Sequence, residues 1–165
     1  MTNMHPYLKN VSEAQEFDRT VDIALRLFSR TKKRRQTAEK DLLTLGAKSV
    51  RPIAYTIELA LWDKSMSDDD IDERAEDVSD IILQIGKDAL PDLNYLATNG
   101  SCNMYVNDWA QESIFKVLGV KGEEKQKACH HFGFLEYSKE DKNILICPMC
   151  GSRIPANKEP DSGDE

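Results

Sequence analysis

Two groups of cysteine and histidine residues near the end of the chain have the types and spacing of a metal site. The first is Cys129, His130 and His131, and the second is Cys147 and Cys150 within Cys-Pro-Met-Cys-Gly. Zn²⁺ takes four N or S ligands in a tetrahedron, so the Cys-x-x-Cys turn supplies two and the first group supplies the others. The sequence therefore predicts one structural Zn²⁺ per chain. The predicted ligands are Cys129, His131, Cys147 and Cys150.

The choice between the two histidines rests on backbone geometry. Adjacent residues rarely direct both side chains at one metal without strain, and His131 is the nearer of the two to Gly133. We therefore expect His131 to be the fourth ligand, with His130 as the alternative. Four ligands describe a closed site, whereas a catalytic zinc keeps a position open for water. The competing interpretation is a pair of buried free cysteines beside an incidental histidine pair.

The residues between the two ligand groups predict a short β-hairpin. Phe132 and Phe134 lead into a strand that ends at Tyr137, a polar turn covers 138–143, and 144–146 is the return strand. A hairpin between two ligand pairs resembles the zinc ribbon family over about 129–154. The departure is that the histidines follow Cys129 at once, where a ribbon usually has two residues between its first two ligands.

A module of this size is expected to depend on its metal. About 25 residues cannot bury enough apolar surface to fold alone, so zinc binding should supply the folding free energy. Its Phe132, Phe134 and Ile144 are expected to cover the last helix of the preceding domain.

Residues 12–128 predict a helical domain. Apolar residues recur at steps of three and four in six successive stretches, which is the pattern of helices that bury one face. A short seventh helix is expected from Gly122 to Cys129. Ser67, followed by three aspartates, is the predicted N-cap of the fourth helix.

Two segments of this domain, 42–53 and 82–93, resemble each other. Each contains the end of a helix, a glycine, a short polar turn, a predicted capping residue and, three positions later, a proline. The predicted caps are Ser49 and Asp88. The glycines are Gly46, Gly86 and, in a weaker third copy, Gly119. Their spacing of 30–40 residues is typical of stacked helical-pair repeats.

These segments resemble the HEAT-like repeat family, including its phycobilisome-lyase-type members, over 12–128. The resemblance implies an α-solenoid, a mainly α fold in which the helices of 49–63 and 88–98 line a concave surface that binds another protein. An unrelated helical bundle is the alternative. We call the residues expected on this surface the inner surface: Arg51, Tyr55, Glu58, Asp92, Asn94 and Tyr95.

Composition limits the function further. The net charge of -7 argues against broad nucleic-acid binding, although Lys32, Lys33, Arg34 and Arg35 form a basic segment that would allow it locally. No apolar run reaches the roughly 18 residues of a membrane span. The N-terminus resembles no secretory signal. Three of the four cysteines are predicted to bind the metal as thiolates.

We therefore expect a cytoplasmic, non-enzymatic adaptor that binds another protein through the inner surface or the ribbon, with nucleic-acid binding as the alternative. Cys102 is expected to be a small buried hydrophobe. Trp62 and Trp109 are expected in the core or at a groove edge. The acidic tail 155–165 is expected to be disordered.

Overall fold

The computed structural model describes residues 5–131 and 135–156. Seven α-helices are followed by three short strands. The helices are α1 (Ala14–Leu25), α2 (Lys32–Leu45), α3 (Val50–Trp62), α4 (Asp68–Ile85), α5 (Leu90–Thr98), α6 (Met104–Leu118) and α7 (Glu123–Ala128). The strands are β1 (Glu136–Tyr137), β2 (Ile144–Ile146) and β3 (Arg153–Pro155). The mainly α architecture and the small C-terminal sheet are as predicted.

The helices pack in two rows. Contacts run from α2 to α4 to α6 in one row and from α1 to α3 to α5 in the other, and the rows contact each other. Between them lies a continuous core whose largest members are fully buried. These include Leu42, Ile53, Ile57, Ile82, Leu93 and Leu96. The HEAT-like solenoid itself stays a prediction.

The two similar segments form the same local structure. Gly46 and Gly86 end α2 and α4 with φ of 59° and 72°, and each begins a four-residue 3₁₀ turn that leads into the next helix. Glycine suits this backbone because a Cβ is disfavoured at positive φ. Ser49 occupies the N-cap position of α3 as predicted, but its side chain does not cap the helix, and the prediction of Asp88 as a cap is wrong because Ala89 holds that position in α5. The Ser49 hydroxyl donates to the carbonyls of Leu42 and Gly46, and Asp88 lies in the turn rather than at the helix boundary.

Ser67 caps α4 as predicted. Its Oγ accepts a hydrogen bond of 3.2 Å from the Asp70 N–H, and the Asp70 carboxylate accepts from the Ser67 N–H at 3.1 Å. This reciprocal pair satisfies amides that have no partner within the helix.

The C-terminal sheet has one more strand than the hairpin that was predicted. Strands β1, β2 and β3 are antiparallel in that order, with Leu145 opposite both Tyr137 and Ile154. Pro155 is part of β3, so regular structure reaches the first residue of the predicted tail. Phe132 and Phe134, and the tail from 157 onward, lie outside the described residues.

The two tryptophans occupy different environments. Trp109 is buried, and its Nε1–H lies within hydrogen-bond distance of the Ala75 carbonyl and the Ser79 hydroxyl. Trp62, at the end of α3, is 75% exposed, so a place in the core is wrong for this residue. Among the described helices, none combines the length and the apolar character that a membrane crossing requires.

Candidate metal centre

Four side chains from two parts of the C-terminal module converge. Cys129 directly follows α7 and His131 lies two residues later, while Cys147 follows β2 and Cys150 lies in the turn between β2 and β3. Their ligand atoms all lie within 4.8 Å of one another. The structure thus brings together the four residues that the sequence favoured, close enough to hold one metal ion.

The turn between β2 and β3 fixes the second pair. The Gly151 N–H donates to the Cys147 carbonyl at 2.7 Å, and the Cys147 N–H donates to the Ser152 carbonyl at 3.0 Å. Gly151 has a φ of 75°, which allows the chain to reverse immediately after Cys150. Pairing of β2 with β3 holds both ends of this turn, so the two thiols are positioned by backbone hydrogen bonds.

Two of the distances between candidate ligand atoms are those expected at a tetrahedral metal ion. The sulfurs of Cys129 and Cys147 are 3.7 Å apart, and the Cys150 sulfur is 3.5 Å from His131 Nδ1. Bonds of about 2.3 Å to sulfur and 2.05 Å to nitrogen give tetrahedral edges of about 3.7–3.8 Å between sulfurs and about 3.5–3.6 Å between sulfur and nitrogen. Three thiolates with one imidazole are a donor set that zinc prefers. The cluster is compatible with zinc.

The backbone of His131 is adapted to this position. Among the described residues other than glycine, only His131 has a positive φ, 51°. Its N–H donates to the Cys129 sulfur at 3.4 Å while its ring faces Cys150. A positive φ is uncommon outside glycine, and its cost must be offset by surrounding contacts.

His130 points away from the cluster and joins the module to the helical domain. Its Nε2 lies 2.9 Å from Asn94 Oδ1 on α5, and its N–H donates to Gln111 Oε1 on α6 at 2.8 Å. The geometry favours His131 as the ligand. Sequence reasoning missed the roles of Asn94 and Gln111, because nothing in the local pattern of α5 or α6 indicates what packs on them.

The cluster is partly withdrawn from water. Cys129 and Cys147 are buried and pack with Phe115 of α6, and burial raises the pKa of the Cys129 thiol to about 12. Burial also acts to raise the pKa of Cys150, but hydrogen bonds with Ser152, Cys147 and Cys129 together outweigh it, and the net shift of this pKa is downward. A bound cation would stabilise all three thiolates.

Cys102 does not belong to this cluster. It is 5% exposed and lies in the core of the helical domain, as predicted, where burial raises the pKa of its thiol to about 11.

Part of the inner surface is covered by the chain itself. Residues 5–9, which precede the first helix and which we call the N-terminal segment, contact α3 and α5. Asp92, expected to face a partner, is 4% exposed and accepts from Arg51 Nε at 2.7 Å. Asn94 is exposed but contacts His130.

The basic segment begins α2 as predicted. All four residues are exposed, and Arg35 Nη1 also donates to the Ser29 carbonyl at 2.7 Å and so holds the preceding turn.

No protein-family model, no curated protein and no solved structure matches the chain, so the proposals below are argued from its residues and geometry.

Proposed function

We propose that this chain is a non-enzymatic, cytoplasmic protein-interaction module, in which a zinc-stabilised C-terminal unit closes a HEAT-like helical domain and the inner surface binds a partner. The observation that carries the proposal is that this surface already holds a short segment of the chain that contributes to no helix or strand. It does so with a hydrogen bond, an ion pair and a set of aromatic contacts. These are the contacts by which proteins recognise peptides.

Zinc would have a structural role. Cys129, His131, Cys147 and Cys150 would occupy all four positions of a tetrahedral ion, which leaves none for a substrate or an activated water. Binding would fix the module against Phe115 and α6. The hydrogen bonds of His130 to Asn94 and Gln111 would then keep the module next to the inner surface.

Nucleic-acid binding is the second candidate, and one observation favours it. Lys32, Lys33 and Arg34 are exposed in the first turn of α2, where the helix dipole disfavours cations. None of the three forms an ion pair with the described residues. Cations at such a place suit an external anion such as a phosphate.

Recovery of partners from native lysate, with and without nuclease, separates the two functions. Protein binding predicts partners that survive nuclease and that the combined Tyr55→Ala and Tyr95→Ala variant loses, with a weakening of at least about 2 kcal/mol. Trp62→Ala is the matched control, because it removes an exposed aromatic ring elsewhere. Circular dichroism checks that each variant is folded. Partners that disappear with nuclease would support the basic segment instead.

A further inference from the structure

The N-terminal segment is bound to the inner surface by three kinds of contact. The hydroxyl of Tyr95 donates to the Pro6 carbonyl at 2.8 Å. The Tyr7 side chain is fully buried, with its ring centroid 5.3 Å from that of Tyr55. Lys9 Nζ lies 3.1 Å from the carboxylate of Asp92. The inner surface therefore recognises the segment through one backbone carbonyl, one buried aromatic side chain and one charge pair at the end of the segment.

The receiving side chains are held in place by one another. Arg51 donates to Asp92 at 2.7 Å, and its guanidinium carbon lies 3.8 Å from the centre of the Tyr95 ring. These contacts orient Asp92 toward Lys9 and Tyr95 toward the Pro6 carbonyl of the N-terminal segment. Preorganised groups lose little conformational entropy when a ligand binds, which is a property of binding sites.

The segment does not fill the space available to it. A pocket of about 180 Å³ lies beside Tyr7 and Lys9, between Phe17 of α1 and Arg51 of α3. A ligand with a bulkier side chain at this point would gain contacts that the N-terminal segment does not make.

The segment can also leave without breaking a helix. Residues 5–9 contribute to no helix or strand. Among the described residues, their main-chain hydrogen bonds are the one from the Tyr95 hydroxyl and a local one from the Leu8 N–H to the His5 carbonyl. Only Asn10 separates the segment from the first 3₁₀ turn, so the tether is short and its effective concentration at the surface is high. The N-terminal segment therefore stays on the inner surface without needing a high affinity as a free peptide.

We infer that the inner surface is a binding site for a turn-forming peptide of the form proline, aromatic residue, any residue, cation, and that the N-terminal segment, whose Leu8 N–H donates to the His5 carbonyl across such a turn, is its resident ligand. A partner protein binds by presenting a segment of this chemistry, which displaces residues 5–9. The inference deepens the proposed function and rests on it for the existence of a partner.

The test uses the full chain and a fluorescent peptide of residues 5–10, with binding followed by anisotropy. The chain carrying Tyr7→Ala has a weakened resident ligand and should bind the peptide at least about 10-fold more tightly than the unmodified chain does. A peptide that itself carries Tyr7→Ala is the matched control and should bind neither chain. Adding Asp92→Ala to the Tyr7→Ala chain should weaken binding again.

A second variant covers the possibility that Tyr7→Ala unfolds the chain. Lys9→Ala changes a half-exposed side chain and should strengthen peptide binding by about threefold, in keeping with the modest energy of an exposed ion pair. A folded Tyr7→Ala or Lys9→Ala chain that binds the peptide no better than the unmodified chain does would overturn the inference. The inference would also be overturned if the control peptide, which carries Tyr7→Ala, bound as tightly as the unmodified peptide.

The outcomes separate this inference from the proposed function. Suppose that the lysate partner depends on Tyr55 and Tyr95, but that neither the Tyr7→Ala chain nor the Lys9→Ala chain binds the peptide when folded. The proposed function then stands, and the inference that a partner displaces residues 5–9 is wrong. If the peptide binds as expected but no partner is recovered, the site is real and the proposed function lacks support.

Discussion

His130 and His131 are adjacent in sequence but serve different parts of the molecule. His131 Nδ1 lies 3.5 Å from the sulfur of Cys150, whereas His130 Nε2 lies 2.9 Å from the side-chain oxygen of Asn94. The positive φ of His131 separates the two directions. One residue therefore closes the candidate metal site, and its neighbour fixes that site to the helical domain.

This separation predicts that two matched substitutions lower zinc affinity by very different amounts. The purified chain should hold about one equivalent of zinc. His131→Ala should lower zinc affinity by more than about 100-fold because a ligand is lost, while His130→Ala should lower it by less than about 10-fold. Competition with a chromophoric chelator measures both values. The reverse ranking would make His130 the ligand, and two equivalents of zinc would contradict the single site.

The metal site and the helical core are separable in the structure, which predicts a local effect of losing one thiol. Cys150→Ser should abolish stoichiometric zinc binding and unfold residues from about 129 onward, while α1 to α6 keep their separate core. Far-ultraviolet circular dichroism should retain most of its helical signal at 25 °C. Cys102→Ala is the control, since it removes a buried thiol outside the cluster and should leave the zinc content unchanged. Loss of most helical signal in Cys150→Ser would show that the module is integral to the core.

The parts of the structure that sequence predicted are those governed by local rules. Helix positions follow from apolar periodicity, and the clustering of the four candidate ligands follows from their spacing along the chain. The β3 strand was missed because Arg153–Pro155 is too short, and too rich in polar and proline character, to indicate a strand. It exists because Ile154 pairs with Leu145 and because the Cys147–Cys150 turn returns the chain alongside β2.

The N-terminal segment was missed for a different reason. Its contacts with Tyr55, Asp92 and Tyr95 join residues more than forty positions apart, and five residues without periodicity carry no signal of where they pack. For the same reason the burial of Asp92 could not be predicted. On helix position alone it belongs to the first turn of α5, where an exposed acidic residue would be equally favourable.

The buried carboxylate of Asp92 predicts a large and specific loss of stability. Asp92→Ala leaves the guanidinium of Arg51, which is only 12% exposed, without its charge partner, and should lower the free energy of unfolding by about 3 kcal/mol. Lys9→Ala removes a half-exposed partner of the same carboxylate and should cost less than about 1 kcal/mol. Asp88→Ala, which removes an exposed carboxylate from the preceding turn, is the control and should have little effect. Urea denaturation gives the three values, and equal losses for all three variants would contradict the assigned roles.

The capping box at the start of α4 predicts a dependence on acid. Hydrogen bonds from the Ser67 side chain and backbone lower the pKa of Asp70 below its ordinary value of 3.8. Because the folded pKa is the lower one, the contribution of this carboxylate is present above the unfolded pKa and is lost as the pH falls through the folded pKa.

Ser67→Ala removes the N-cap side chain and should cost about 1 kcal/mol at pH 7. The difference between this variant and the unmodified chain should narrow as the pH falls below about 4, because protonation of Asp70 weakens the box in the unmodified chain alone. Thermal unfolding at a series of pH values between 7 and 3, at constant ionic strength, measures the narrowing. Thr44→Ala is the control, because the exposed Thr44 hydroxyl donates to a backbone carbonyl, that of Lys40, and not to a carboxylate. A difference between Ser67→Ala and the unmodified chain that stays constant across this range would show that Asp70 contributes nothing through its charge.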